Sequence, residues 1–295
     1  MGLYSIDIGF GTFCSSADGK LSTNHTFRLK NLSFERVLES FNANLKDLFA
    51  LLDLCKSEGI EVFRLGSNFI PYASHSLFRE EWLSKLEPYL VEAGGKIREN
   101  YNIRITMHPG QFVVLNSPRE EVIESSLREL QYHFWVLDSL GIGDDGIVIV
   151  HLGGVYGDKK RAIERFINTV DENKWLKRRL AIENDEKYFT AKEVLDVANT
   201  LEIPFVFDFF HHKLNPSTFS LWEVPKTWKN KGIPKLHLSS KGEGKFGTHG
   251  DFVRIEEFLE LVKLLESVSI KKVHIMIEAK KKEIAIKKLK QSINQ

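Results

Sequence analysis

Histidines and acidic residues recur at the ends of short apolar runs along this 295-residue chain. Runs rich in β-branched residues are typical of buried strands. The segments in which polar residues follow or end such runs are His108-Pro-Gly-Gln111-Phe112, His151-Leu-Gly-Gly, Glu183-Asn-Asp, Asp208-Phe-Phe-His211-His212, Lys235-Leu-His237, His249-Gly-Asp and Glu278. Imidazole and carboxylate are the ligands that divalent manganese, zinc and iron bind in proteins. A fold that brings these strand ends together would therefore create a metal site.

The candidate ligands outnumber those that a single four-coordinate ion requires. This excess favours two or three ions that share a carboxylate, and Glu183, in the middle of the series, is the expected bridge. Sites with several ions suit phosphoester hydrolysis, because one ion activates the attacking water while another stabilises the leaving oxygen. The pattern thus favours a metal-dependent hydrolase.

Taken singly, each of these residues has a structural alternative. A histidine after a strand is more often a hydrogen-bonded structural residue, and an acidic residue there is often a helix cap. Recurrence at six successive strand ends favours the metal cluster. His25, His133 and His274 are expected to be structural, and His75, in the loop after the second strand, is either a substrate contact or a loop-stabilising residue.

Eight apolar runs alternate with segments of helical period. The predicted strands are Ser5–Phe10, Glu61–Leu65, Arg104–Met107, Ile147–Val150, Arg179–Ile182, Phe205–Asp208, Lys235–Ser239 and Lys272–Ile277. Parallel strands joined by helices predict a single TIM (β/α)₈ barrel over residues 1–295, with the metal site at its C-terminal mouth and an open doubly wound sheet as the alternative.

Local signals place some helix boundaries. The apolar positions of residues 38–55, at three- and four-residue steps, predict one amphipathic helix. Ser117-Pro118 is typical of an N-cap followed by proline, and Thr190-Ala-Lys-Glu193 of a capping box. Gly9-Phe10-Gly11, together with Gly19, indicates only a flexible loop.

Composition restricts the protein class less than the motifs do. With 41 basic and 40 acidic residues the net charge is +1, yet residues 226–295 carry 15 Lys and one Arg against eight acidic residues. That basic segment is either a solvated helical face or a contact for a polyanion. Cys14 and Cys55 indicate reduced thiols, and the sequence has neither a membrane span nor a signal peptide, so we expect a cytoplasmic protein.

Seven motifs together resemble the UV damage endonucleases, a family of TIM-barrel DNA repair enzymes. They are HPGQF, VHLGG, AIENDE, FDxxHH, KxHLSS, THGDF and MIEAK. The resemblance extends from Thr23–Leu29 through Phe63–His75 to Glu278, in order and with compatible spacing. It implies an enzyme that nicks UV-damaged double-stranded DNA immediately 5′ to cyclobutane pyrimidine dimers and 6-4 photoproducts, and often at abasic sites.

The resemblance also implies the site residues. The family uses three divalent ions, usually manganese, with zinc, magnesium or cobalt as alternatives. The implied ligands are His108, His151, Glu183, Asp208, His211, His237, His249 and Glu278. Glu183, Lys235, His237 and His75 are the expected catalytic residues, and Lys235 matches a lysine that family members can carry in carboxylated form.

Gln111 and Phe112 match the pair that the family inserts into DNA where the damaged nucleotides are extruded, and Gly9-Phe10 matches a probing segment. Both aromatic positions are commonly tyrosine in the family, so the change to phenylalanine bears on lesion range more than on nicking. We expect a monomer in a prokaryotic cytoplasm, associated with the nucleoid. A metal-dependent sugar isomerase or epimerase and a catalytically silent lesion-binding homologue are the alternatives.

Overall fold

The structure is a computed structural model that describes residues 5–229 and 231–293, and eight short strands form its centre. The strands are β1 (Asp7–Phe13), β2 (Val62–Leu65), β3 (Arg104–Met107), β4 (Val148–His151), β5 (Leu180–Glu183), β6 (Phe205–Asp208), β7 (Lys235–Leu238) and β8 (Lys272–Ile277). Each strand pairs in parallel with the next, and β1 pairs with β8 to close the barrel. The predicted TIM barrel is therefore confirmed.

Helices surround the barrel and connect its strands. They are α1 (Phe34–Ser57), α2 (Glu80–Asn100), α3 (Glu120–Ser139), α4 (Lys159–Glu172), α5 (Ala191–Leu201), α6 (Phe209–Leu214), α7 (Ile255–Ser267) and α8 (Lys282–Ile293). Short 3₁₀ segments lie at Leu29–Asn31, Lys174–Arg178 and Leu221–Trp228. Among these helices none is both long enough and apolar enough to cross a bilayer, within residues 5–229 and 231–293.

The helices begin and pack largely as their sequences predict. The Ser33 side chain accepts from the Arg36 amide to cap α1, which buries Phe41, Leu48 and Leu52 against the barrel. Burial of each such side chain contributes about 1.5–3 kcal/mol. The capping box at Thr190 is present at the start of α5.

The helix start predicted at Ser117 is wrong. Helix α3 begins at Glu120, and the Ser117 hydroxyl instead accepts from the amide of Arg119 at 3.1 Å. The serine thus orders the turn before the helix, because its side chain bonds the backbone two residues on, as in an ST-turn.

Strand β1 also differs from its prediction, since it runs three residues past Phe10 to Phe13. The glycines that indicate a loop lie inside this strand. A Cβ on Gly9 would lie 2.6 Å from the His274 ring, and one on Gly11 would lie 3.0 Å from Val62 Cβ. Glycine is required here because side chains from β2 and β8 fill the barrel interior.

The barrel interior is polar at both ends. At the lower end, where the strands begin, the Arg104 guanidinium donates to the backbone carbonyls of Asp145, Lys231 and Ile233. The middle contains an apolar cluster of Ile147, Ile149, Ala181, Val206 and Trp228. Side chains alternate along a strand, so the next inward-facing residue lies two positions further on. Beyond the apolar layer, that residue lies at the mouth.

Candidate metal centre

Glu183, the last residue of β5, lies at the centre of the mouth and is almost completely buried. Its Oε2 is 3.1 Å from His108 Nε2, and its Oε1 is 2.8 Å from His237 Nδ1. Two groups of possible ligand atoms, each within 4.8 Å of one another, contain it: His108, His151 and Glu183; and Glu183, Asp208, His237 and Glu278. Glu183 is the one residue that both groups share, which is the position of a bridging carboxylate.

The two remaining predicted ligands lie at the edge of this cluster. His211 Nδ1 is 3.7 Å from Glu183 Oε1 and the same distance from Asp208 Oδ2. His249 Nδ1 is 3.8 Å from Glu278 Oε2. His212 turns away from the mouth, and its ring packs against Phe207 and Phe219.

Two polar atoms in the cluster favour a cation. Asp208 is fully buried, and its Oδ1 accepts from the His211 amide at 2.7 Å, while its Oδ2 has no hydrogen-bond partner among the described residues. Within the same part of the chain, the buried Nδ1 of His151 also lacks a partner. Leaving such atoms unpaired costs about 1–3 kcal/mol each, and more for a charged group. Divalent ions would satisfy these atoms, one in each ligand group, so the residues present fit this group.

The carboxylates of the cluster repel one another. Burial first, and then the charges of Glu278 and Asp208, raise the pKa of Glu183 well above its ordinary value. Burial opposes ionisation of Glu278, but the Arg64 guanidinium and the neighbouring imidazoles together outweigh it and hold the pKa of Glu278 well below its usual range. Ionisation of both carboxylates at once is therefore unfavourable unless a further cation offsets the repulsion.

Two of the imidazoles, those of His108 and His237, are ready to bind a metal. Burial lowers the pKa of His108 well below its ordinary value, with Arg64 acting in the same direction, and burial likewise lowers the pKa of His237. Only a neutral imidazole nitrogen can bind a metal ion. These histidines can therefore serve as ligands without first losing a proton.

Arg64 is a site residue that the sequence analysis missed. Its Nη2 lies 2.5 Å from Glu278 Oε1 and 2.9 Å from His237 Nε2. A signal was present, because Arg64 is the single charged residue in the strand Val62–Leu65 and shares the inward-facing register of Val62. Its guanidinium holds two candidate ligands in place.

Lys235 lies below this layer on β7 and is completely buried. Its Nζ donates to Thr106 Oγ1 at 2.9 Å. Burial, followed by the charges of Arg64 and Arg104, lowers the pKa of Lys235 well below its ordinary value. The lowered pKa favours the unprotonated amine, which is the nucleophilic form.

A cavity of about 660 Å³ opens beside the cluster, lined in part by Arg64, His108, His75 and Phe112. Phe112 stands at its rim with 66% of its surface exposed. Gln111 is exposed and lines an adjacent cavity of about 250 Å³ with His151. The His75 ring faces the larger cavity while its Nδ1 accepts from the Leu77 amide at 3.1 Å, so it is positioned for both of its predicted roles.

Phe10 does not lie at the mouth. It is buried in β1, where its ring packs 6.0 Å from the Phe258 ring and beneath Lys290 Nζ of α8. The expectation that Phe10 contacts DNA at the mouth is wrong, because β1 continues three residues past it to Phe13. Phe13 and Cys14 at the true strand end line the large cavity instead.

The three histidines expected to be structural lie outside the cluster. His133 is buried in α3 and its Nδ1 is 2.8 Å from the Glu129 carbonyl oxygen. His274 contacts Arg104 at the lower end of the barrel, with Nδ1 3.2 Å from Nη1. His25 Nε2 pairs with Asp47 at 2.8 Å.

A closed parallel barrel with buried imidazoles and carboxylates at its mouth defines a TIM-barrel protein with a candidate metal centre. The sequence profile of the UV-endonuclease UvdE family matches residues 15–295 of this chain. The chain therefore belongs to the UV-endonuclease UvdE family, a family of enzymes, and the resemblance found in the sequence is confirmed.

Individual relatives agree with this assignment. The chain is similar to a UV DNA damage endonuclease of Clostridium perfringens, with 36% identity over 284 residues that cover 93% of this chain and 68% of the relative. A UV DNA damage endonuclease of Bacillus velezensis is 32% identical over 268 residues, covering 88% and 83% of the two chains. The crystal structure of SacUVDE matches with a TM-score of 0.86 and 36% identity, covering 98% of each chain.

Proposed function

We propose that this chain is a metal-dependent endonuclease that nicks UV-damaged double-stranded DNA. Incision would occur immediately 5′ to cyclobutane pyrimidine dimers and 6-4 photoproducts, and also at abasic sites. The observation that carries the proposal is the pair of ligand groups that share Glu183 at the mouth of a UvdE-family barrel. Retention of the full ligand set favours an active enzyme over a silent lesion-binding homologue.

The proposed metal ligands are the eight residues that surround the mouth. They are His108, His151, Glu183, Asp208, His211, His237, His249 and Glu278. We propose three ions, with manganese as the first choice, as the family resemblance implies; the eight ligands and the shared Glu183 support a site with more than one ion. When bound, divalent ions lower the pKa of a coordinated water and stabilise charge on the phosphate oxygens.

Side chains of the protein would hold the metal ligands and the substrate in place for the reaction. Arg64 keeps His237 and Glu278 fixed through contacts of 2.9 and 2.5 Å. Glu183 holds His108 and His237 from opposite oxygens. His75, across the cavity, would contact the substrate on the side away from the cluster.

We further propose that Lys235 is carboxylated. The neutral Nζ would attack carbon dioxide, a C–N bond would form, and the nitrogen would release a proton to leave a carbamate anion. The lowered pKa of Lys235 supports this, because only the unprotonated amine reacts. Mass spectrometry of the intact protein under native conditions tests it, and a mass without one added carbon dioxide contradicts it.

Gln111 and Phe112 would fill the space that the flipped lesion leaves in the duplex. Both side chains stand exposed at the rim, and a base stacked on an aromatic ring gains about 1–3 kcal/mol. Lesion choice would depend on how easily the damaged pair unstacks, because weakened pairing lowers the cost of flipping. Phenylalanine retains the stacking surface without the hydroxyl of the family's usual tyrosine.

A plasmid assay tests the function. UV-irradiated and unirradiated supercoiled DNA are incubated with the purified protein in manganese or in chelator. We expect relaxation of the irradiated plasmid alone, and only with the metal. Nicking that ignores irradiation, or no nicking with any divalent ion, would contradict the proposal. Mapping of the cut on a duplex with one dimer then tests whether incision is 5′ to the lesion.

A further inference from the structure

The loop that follows β7 presents a second exposed phenylalanine at the mouth. Phe246 has 66% of its surface exposed, the same fraction as Phe112. Lys245 beside it and Lys241 at the base of the loop are also exposed. Glu243, between the two lysines, is exposed as well, so Lys245 is the cation directly beside the ring. An aromatic ring beside a cation can bind a nucleic-acid base and a phosphate together.

This loop is held in a defined shape. The Gly242 amide donates to the Thr248 carbonyl at 2.7 Å, and the Gly250 amide donates to the Ser240 carbonyl at 2.7 Å. Gly244 and Gly247 adopt φ values of +111° and +79°, a backbone conformation that L side chains rarely adopt. The chain therefore keeps Phe246 in solvent by a specific backbone conformation instead of folding it inward.

The loop is also fixed relative to the candidate metal centre. His249, near its end, lies 3.8 Å from Glu278. Gly247 packs so closely on Glu186 that a Cβ there would lie 3.2 Å from the Glu186 Cγ. Glu186 Oε2 in turn lies 3.9 Å from His211 Nε2. A molecule bound at Phe246 would thus lie beside the proposed metal-ligating residues.

The position of Phe246 around the ring relates it to Phe112. The loops that carry them follow β3 and β7, and three strands separate these two strands in either direction around the closed barrel. Strands β3 and β7 are therefore diametrically opposite. The two loops therefore start from opposite sides of the barrel, and DNA that crosses the mouth would meet both of them.

We propose that Phe246 is a second DNA-stacking residue, whose ring packs on a nucleobase at the part of the mouth formed by the loop after β7. This inference rests on the proposed function, since it assumes that DNA lies across the mouth. Phe246 then assists in holding the duplex where the damaged strand bends away from its normal stack. Lys245 and Lys241 contact the phosphates that flank the stacked base.

Equilibrium binding tests this role without depending on nicking. Fluorescence anisotropy, in chelator so that the DNA stays intact, gives the Kd of the full chain for a duplex with one thymine dimer. We expect Phe246→Ala and Phe246→Leu each to raise the Kd about tenfold. Phe246→Trp should keep the Kd within about twofold of the wild-type value, because it retains an aromatic ring. A fluorescent base analogue near the lesion should lose its quenching in the alanine variant.

Trp222→Ala is the matched control, because Trp222 is also an exposed aromatic residue, 48% exposed. Trp222 lines neither of the two cavities at the mouth, and Thr227 and Trp228, at the other end of its 3₁₀ segment, contact Phe205 at the start of β6. The control should bind as the wild type does, and thermal unfolding should show that all variants are folded. Phe112→Ala combined with Phe246→Ala should raise the Kd by the product of the single effects, because the sites are separate.

An alanine variant that binds as tightly as the wild type overturns the inference, and a leucine variant with wild-type affinity overturns stacking. A wild type that binds the dimer duplex but never nicks contradicts the proposed function, whereas weaker binding by Phe246→Ala still supports this inference. A wild type that nicks irradiated DNA, with no effect of Phe246→Ala on binding, contradicts this inference alone.

Discussion

Glu183 combines two demands that conflict in a protein without bound cations. It must be an acceptor for His108 and His237, yet it is buried beside two other carboxylates. A carboxyl whose pKa is raised on folding reduces stability at every pH above its unfolded value, because the folded state takes up a proton that the unfolded state does not need. The buried carboxylates of the cluster therefore lower the folding stability of the metal-free protein while providing a cation site.

Substitution Glu183→Gln separates these effects. We expect the variant to melt at a higher temperature than the wild type in chelator at pH 7, because the amide cannot ionise and removes the repulsion. It should also lose the rise in melting temperature that manganese gives the wild type, and lose incision. Differential scanning calorimetry with and without manganese measures both.

Glu186→Gln is the control for Glu183. Glu186 lies 3.9 Å from His211 but belongs to neither ligand group. It should retain stabilisation by manganese. A Glu183→Gln variant that manganese stabilises as much as the wild type would rule out the bridging role.

Sequence alone identified the histidines and carboxylates of the mouth because they follow strand ends, where a parallel barrel collects side chains. It did not identify Arg64, because a charged residue inside a strand has no position in that pattern, and only the closed barrel shows it facing Glu278. The predicted position of Phe10 was wrong because the apolar run suggested that the strand ends there, whereas β1 continues to Phe13.

At the scale of elements, strand positions followed from apolar runs, whereas β1 and the start of α3 did not. Hydrophobic periodicity needs side chains, and Gly9 and Gly11 supply none, so the inward face of β1 gave no signal. Ser117 satisfied the sequence rule for an N-cap, but its hydroxyl bonds Arg119 and the helix starts later. Turn geometry of this kind depends on contacts that the local sequence does not specify.

The lower ends of β3 and β8 form a second polar layer, at Arg104 and His274. Burial first, and then Arg104, Lys235 and Lys272, lower the pKa of His274 to about 3, which Asp7 opposes only weakly. Glu61 lies 3.7 Å from His274 Nε2 but is half exposed, so its charge is screened by solvent. His274 is thus neutral in the folded protein at pH values where the unfolded chain binds a proton.

This layer makes stability depend on pH with a definite sign. His274 has a pKa of about 6.5 in the unfolded chain and about 3 in the folded chain. Between these pH values the unfolded chain binds a proton at this residue and the folded chain does not. Stability is therefore lost as pH falls, by at most about 1.4 kcal/mol per pH unit from this residue. Urea unfolding of His274→Asn, which keeps an acceptor for Arg104, should show a smaller loss between pH 7 and 5 than the wild type.

The matched variant for His274 is His25→Asn, at a histidine whose side chain is 42% exposed. This variant leaves the layer at Arg104 and His274 intact, so its loss of stability over the same range should be larger than that of His274→Asn. Equal losses for the wild type and His274→Asn would mean that the lower layer does not control the acid limb of the stability curve.

At the scale of the whole molecule, the basic segment 226–295 divides between the two ends of the barrel. In α8, Lys290 donates to the carbonyls of Glu58 and Gly59, and Lys287 pairs with Glu58, at the end of α1 that leads into β2. These lysines lie at the end opposite the mouth, where they bind the C-terminus of α1, as cations do at helix C-termini. The sequence could not assign them to an end because charge counts carry no direction.

Strand β8 offers a direct comparison of the two ends. Lys271 and Lys272 are exposed at its start, away from the mouth, and Lys280 and Lys281 are exposed just after its end, beside Glu278. The proposed DNA contact at the mouth involves only the second pair. A lysine that contacts a phosphate releases a counterion, which contributes about 0.9 to the slope of log Kd against log salt concentration.

The double substitution Lys280→Gln with Lys281→Gln should therefore weaken binding of a dimer-containing duplex at low salt and reduce the salt slope by about one to two. Removing the equivalent pair, Lys271→Gln with Lys272→Gln, changes the net charge of the chain by the same amount but should leave both quantities unchanged. Anisotropy titrations over a series of salt concentrations measure the two slopes. Equal reductions in both variants would show that DNA responds to the total charge of the molecule, and a reduction only in the second would place the DNA at the opposite end of the barrel.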